Sequence, residues 1–160
     1  MRQPALFASA PLFLFGFGSP CAAQLVGATW DWNVAHVDED SGEGVVVGFA
    51  GSINLNSPAQ NSDGRLISAT GQQGSYRLIE IDPLTGRGSF VNDSFLNDLR
   101  ALAFDSSDDL YAIDTPNPAD SDLYFLDLTA PIGCSSIKTF IGETSLGSIQ
   151  GMTFAPDDTL

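Results

Sequence analysis

Oxygen-bearing side chains dominate the chemistry on offer in this chain, which has twenty Asp and Glu against six Lys and Arg and a single His. Asn97, Asp98, Asp114, Asn117 and Glu143 stand in or beside the polar stretches "NDSFLND", "TPNPADS" and "GETSLGS". Their carboxylate and amide oxygens would suit a hard cation such as calcium. The same residue types are what turns require, because Asp and Asn side chains hydrogen-bond their own backbone, and that plainer role accounts for all five positions. "DSSDD" (105–109) lacks the spacing, central Gly and closing Glu of a calcium-binding helix–loop–helix and reads as a hairpin turn. His36, in "AHVDED", is the only histidine. A His-rich zinc site or a Ser-His-Asp triad would have to pass through it, and neither a Cys nor a second His lies beside it in sequence. Trp30 and Trp32 flank Asp31 at the i, i+2 spacing of a strand. That spacing puts both rings on one face, either to stack on a sugar or to be buried at a sheet edge. No GxSxG elbow, P-loop, dinucleotide fingerprint or HExxH occurs in the sequence. "NDS" at Asn92 is a glycosylation acceptor only in a eukaryotic source.

The elements that must position these residues are short and β-like. Sixteen Gly and nine Pro with two Met describe a chain rich in turns and poor in helix formers. An apolar content of 43% over 160 residues is enough for one packed domain. "LRALAFDSSDDLYAID" (99–114) returns as "IQGMTFAPDDTL" (149–160) at a shift of 50, which sets Leu102 on Met152, Phe104 on Phe154 and Leu110 on Leu160. "YRLIEIDPLTG" (76–86) matches "DLYFLDLTAPIG" (122–133) with Asp82 on Asp127, a shift of 45, and Leu66 in "DGRLISAT" answers Leu110 at 44. A period of this length, divisible into four short runs between turn residues, predicts an all-β fold of four-stranded antiparallel units of the propeller-blade type. One unit has strands expected at 99–104, 109–114, 122–128 and 136–141, and the unit before it at 51–55, 64–69, 76–82 and 88–91. "FLNDLRALAF" also places Phe95, Leu99 and Leu102 at helical spacing, but the run is short and uncapped and is assigned to strand.

Residues 1–23 put one positive charge, Arg2, ahead of an apolar run (5–17) and small residues ending in Cys21, Ala22 and Ala23, the pattern of a secretory signal peptide. The run is too short for a membrane-spanning helix and contains Pro11. The expected mature chain, 24–160, keeps Cys134 as its one cysteine and so forms no internal disulfide. Five basic and twenty acidic residues give it a net charge of −15. A surface of that sign makes nucleic acid and anionic membrane poor partners, so no nucleic acid is expected, and favours solubility. The expected location is secreted, periplasmic or at the cell surface.

"IDPLTG", "LRALAFDSSDDLYAID", "LYFLDL" and "IQGMTFAPDDTL" together resemble the repeats of secreted bacterial β-propellers of the NHL-like and YVTN-like kind, over about 52–160. The resemblance implies a partial propeller domain at 24–160: an incomplete ring of roughly two to three blades, at about 51–91 and 99–141, with a truncated blade from 149. Residues 24–50 would supply the last strands of an earlier blade or the strand that closes the ring. The loops 70–75, 92–98, 115–121 and 142–148 would lie over the central channel, where the ligands of such propellers sit. A ring needs at least about four blades, so the chain is expected to be a fragment that self-associates through unpaired edges. The functional expectation is an exported scaffold that binds a protein, glycan or small-molecule ligand without catalysis of its own. The alternative is a propeller enzyme, a metal-dependent hydrolase or lactonase, whose catalytic residues lie mostly on other blades.

Overall fold

The structure is a computed structural model that describes residues 25–29, 31–51, 54–72 and 75–155. The expected signal peptide and Trp30 lie outside the described residues. Apolar and polar residues alternate here in short runs broken by Gly, Asp, Asn or Pro, and each run becomes a strand. The strands are β1 (Leu25–Ala28), β2 (Asn33–Val37), β3 (Gly44–Phe49), β4 (Asn56–Gln60), β5 (Leu66–Gln72), β6 (Ser75–Ile81), β7 (Gly88–Asp93), β8 (Leu99–Phe104), β9 (Leu110–Asn117), β10 (Asp120–Leu126) and β11 (Lys138–Glu143), with one 3₁₀ turn at Ser135–Ile137. They form three antiparallel meanders in chain order: β1–β2–β3, β4–β5–β6–β7 and β8–β9–β10–β11. No α-helix occurs among the described residues.

Each sheet closes its last hairpin with the same device. Asp38 accepts the Ser41 amide and hydroxyl, both at 2.7 Å; Asp82 accepts the Leu84 amide at 2.9 Å and the Thr85 hydroxyl at 2.7 Å; Asp127 accepts the Thr129 amide at 2.8 Å and hydroxyl at 2.6 Å. The hydroxyl bonds first, then the amide bonds, hold all three carboxyls below the ordinary aspartate value of 3.8. Counted from these turns, β2, β6 and β10 are equivalent strands. Leu25, Leu66 and Leu110 are equivalent as well, since they pair with Val37, Ile81 and Leu126, the residues just before the three Asp. The first sheet therefore consists of the second, third and fourth strands of a blade, and β4 and β8 are the first strands of theirs.

The sheets stack face to face. Val34, Leu66, Ile79 and Ile81 fill the layer between the first and second, and Ile67, Leu78, Leu102, Leu110 and Leu126 the layer between the second and third. Burial of such side chains stabilises by about 1.5–3 kcal/mol each. Gly48 of β3 sits directly on the β6–β7 turn, where an added Cβ would fall 1.9 Å from the Thr85 carbonyl oxygen. Gly86 in that turn has φ +68°, a conformation that glycine adopts without strain. The first strands β4 and β8 run side by side: Asn56 Nδ2 donates to the Leu99 carbonyl at 3.0 Å, and the Leu102 amide donates to Ser57 Oγ at 2.7 Å.

Three expectations change. The first strand of the second sheet is Asn56–Gln60, not 51–55, two of whose residues (52 and 53) lie outside the described ones. Pro58 disguised it, because Pro cannot donate to a ladder; β4 accommodates it at a sheet edge, at an irregularity where Ser57 has φ +47°. Trp32 is not on a strand face: it has φ +69° in the β1–β2 turn, where its amide bonds the Thr29 carbonyl at 3.0 Å and its ring lies 5.5 Å from that of Phe49. The fourth strand of the third sheet begins at Lys138, because Ser135–Ile137 winds into the 3₁₀ turn. Residues 149–155 have no strand alongside among the described residues and form no ladder; 156–160 lie outside them.

Candidate functional site

Of the loops expected over the channel, the β7–β8 connection is held against β9 of the third sheet, and Asp114 holds it. This residue ends the apolar run of β9 and is 1% exposed. Its carboxylate accepts the Asp98 amide at 2.6 Å and the Asn97 amide at 3.1 Å. The Thr115 amide answers by donating to the Asp98 carbonyl at 3.0 Å. The β7–β8 connection is thus clamped onto β9 by one charge-assisted pair of bonds and one backbone bond.

Asp98 faces the other way. Its carboxylate takes Arg100 Nη2 at 2.6 Å and the Tyr76 hydroxyl at 3.1 Å. Burial, and then the bond to Asp98, push the Tyr76 phenol above its ordinary value of 10.0. Arg100 projects from β8 between the sheets and keeps its Nε buried without an acceptor. With Asn54, Leu55, Asn56 and Tyr76 it lines a cavity of about 30 Å³, room for roughly one water. Asn54 and Asn56 hold this wall by donating to the Gly71 and Leu99 carbonyls at 3.1 and 3.0 Å.

Of the five oxygen-bearing candidates, the structure brings Asn97, Asp98 and Asp114 together, with the Asn97 side chain exposed. Asn117 is at the β9–β10 turn, where its side chain caps the Ala119 amide at 3.2 Å, and Glu143 is exposed at the end of β11 opposite Asp122. Among the described residues no three His, Cys, Asp or Glu side chains gather as a metal site would require. His36 Nε2 donates to the Pro83 carbonyl, 2.7 Å away, and so belongs to the contact between the first two sheets. Cys134 is exposed, and the Ser136 hydroxyl at 3.2 Å lowers its thiol from 9.0. Tyr76, Arg100, Asn54 and Asn56 join the site without any motif to announce them. The one available signal was Arg100, a rare basic residue inside the apolar run "LRALAF". At the opposite end of β5 and β6 an open depression of about 280 Å³ is lined by Arg65, Glu80, Pro83 and Arg87, with Arg65 and Glu80 paired at 2.8 Å.

Among solved structures the chain is similar to a chain of the nidogen/laminin complex, with a TM-score of 0.56 at 15% identity over 77% of this chain and 44% of that one. It is also similar to the PQQ-bound aldose sugar dehydrogenase of Streptomyces coelicolor, with a TM-score of 0.52 at 12% identity over 76% and 42%. Both are β-propellers, and the three sheets share that fold. The chain spans less than half the length of either. No family model and no curated protein matches it.

Proposed function

We propose that the chain is an exported β-propeller that acts as a binding scaffold, with a small polar or glycan ligand meeting the loop end around Arg100 and Tyr76, and that it is not itself a catalyst. The observation that carries this reading is the employment of its buried carboxylates. Each carboxylate oxygen of Asp114 already accepts an amide of its own chain, and those of Asp98 accept Arg100 and Tyr76. Donors of the same chain on both oxygens make such a carboxylate a weaker general base, nucleophile and cation ligand than a free one. What the wall can direct at a ligand is the guanidinium of Arg100, the Tyr76 hydroxyl and amide oxygens, a set suited to recognition.

Calorimetry against soluble oligosaccharides, run beside hydrolysis assays on short esters and lactones, tests the reading. Binding that Arg100→Ala weakens at least about tenfold, with no turnover, is the expected result. Turnover that Asp98→Asn abolishes would overturn it. Export rests on the charge, apolar run and small residues of 1–23, and N-terminal sequencing of secreted protein checks it: a mature product that retains Arg2 contradicts it.

A further inference from the structure

Arg100 is placed by a bulge. In the β8–β9 ladder Ala101 pairs with Ile113 and Leu99 with Asp114, so Arg100 is the extra residue of its strand and has no partner across the ladder. A bulge of this kind re-aims the side chain it carries. The guanidinium that results is engaged on one side only. Nη2 donates to Asp98 at 2.6 Å, while the buried Nε has no acceptor among the described residues. A charged donor in that state destabilises the fold until something bound beside it accepts its proton. The residues that share the cavity of about 30 Å³ with Arg100 say what kind of group that is. Asn54 and Asn56 turn Nδ2 to the Gly71 and Leu99 carbonyls, which leaves the Oδ1 end of each amide open. The Tyr76 hydroxyl gives its one proton to Asp98 at 3.1 Å, so its oxygen can only accept from a ligand.

We infer that this cavity is a subsite for one uncharged hydroxyl group on a short arm, the hydroxymethyl of a hexose, and that the ligand class is neutral hexose glycans. The inference rests on the binding role proposed for this end of the sheets and names the group that is read there. A wall with one free donor and three acceptors needs a partner that accepts once and donates once. A hydroxyl does both: its oxygen takes the Nε proton, and its own proton goes to an Asn54, Asn56 or Tyr76 oxygen. A carboxylate or sulfate has nothing to donate and would lie beside Asp98, and an ammonium cannot accept. Space for about one water admits a hydroxyl oxygen but no sugar ring, so the group must reach in from a ring that stays outside. The Arg100–Asp98 pair is left intact, so the cation of Arg100 is already balanced when the ligand arrives. A net charge of −14 on the chain further disfavours an anionic ligand.

The test is calorimetry of the 160-residue chain against methyl glycosides in matched sets: glucoside with xyloside, galactoside with L-arabinopyranoside, mannoside with lyxoside, and the uronate of each hexose. Within a set the hexoside and pentoside differ only by the hydroxymethyl arm, and the uronate replaces that arm by a carboxylate. In at least one set the hexoside should bind at least about tenfold more tightly than both of its partners. Arg100→Lys keeps a cation beside Asp98 but has no Nε–H, so it should bring the hexoside down to the pentoside and leave the pentoside within about twofold of its parent value. A structural defect would weaken both alike. A pentoside or uronate that binds as tightly as its hexoside overturns the subsite while the glycan-binding role stands, and so does a hexoside preference that survives Arg100→Lys. Should that variant fail to unfold cooperatively, the parent's ranking within the sets decides alone. Absence of binding by every glycoside overturns the glycan-binding role and the subsite with it.

Discussion

Asp114 is a residue whose type invites a chemical reading and whose position gives it a mechanical one. Its two carboxylate oxygens replace the ladder where the β7–β8 connection leaves the sheet, and one of the two amides it holds, that of Asp98, belongs to a buried residue. Removing the acceptor strands those donors, which costs more than the bonds themselves contribute. Asp114→Ala should therefore lower unfolding stability by about 2–4 kcal/mol, read from urea denaturation. Asp114→Asn should retain part of it, since the amide oxygen still accepts one bond. Tyr76→Phe deletes only a hydroxyl to Asp98 and gives the scale of a single bond in the same cluster, about 1 kcal/mol.

At the scale of elements, the Asp turns tie chemistry to period. Asp38, Asp82 and Asp127 are held below 3.8 by hydroxyl and amide donors. A carboxyl depressed in the folded state contributes stability above its unfolded value that is lost as pH falls through the folded one. Thermal unfolding between about pH 6 and pH 2 should therefore be flat at first and fall below about pH 4, and Asp82→Asn with Asp127→Asn should flatten that fall. The strands between these turns were readable because alternation and turn chemistry agreed: "LRALAF" is β8 residue for residue, despite its helical spacing. "NSPAQ" was not readable, because β4 owes its strand state to β5 and β8 on either side rather than to its own residues. The first sheet was half legible, as strands of an earlier blade, and the turn at Asp38 that proves the equivalence is visible only once its bonds to Ser41 are seen. Asp98 and Asp114 were picked out as oxygen donors; what they hold is set by loops that fold back from other strands, and no local spacing encodes that.

For the whole molecule, the weakest join is the one between the first sheet and the second, which rests on a modest apolar layer and on the seating of Gly48 against Thr85 and Gly86. A methyl group at position 48 meets backbone that has nowhere to move, so Gly48→Ala should undock the first sheet while the two four-stranded sheets persist. The β1–β2 turn gives that event its own optical signature. Trp32 is in this turn and Trp30, the other tryptophan of the chain, is two residues from it in sequence, so indole fluorescence reports on the first sheet, whereas far-ultraviolet circular dichroism sums over every strand. In the parent the two signals should melt together; in Gly48→Ala the fluorescence midpoint should come first, and coincident midpoints would mean that the sheet is joined more firmly than its contacts imply. The molecule thus carries a built-in emission probe for the one sheet whose attachment decides whether it behaves as a single cooperative unit.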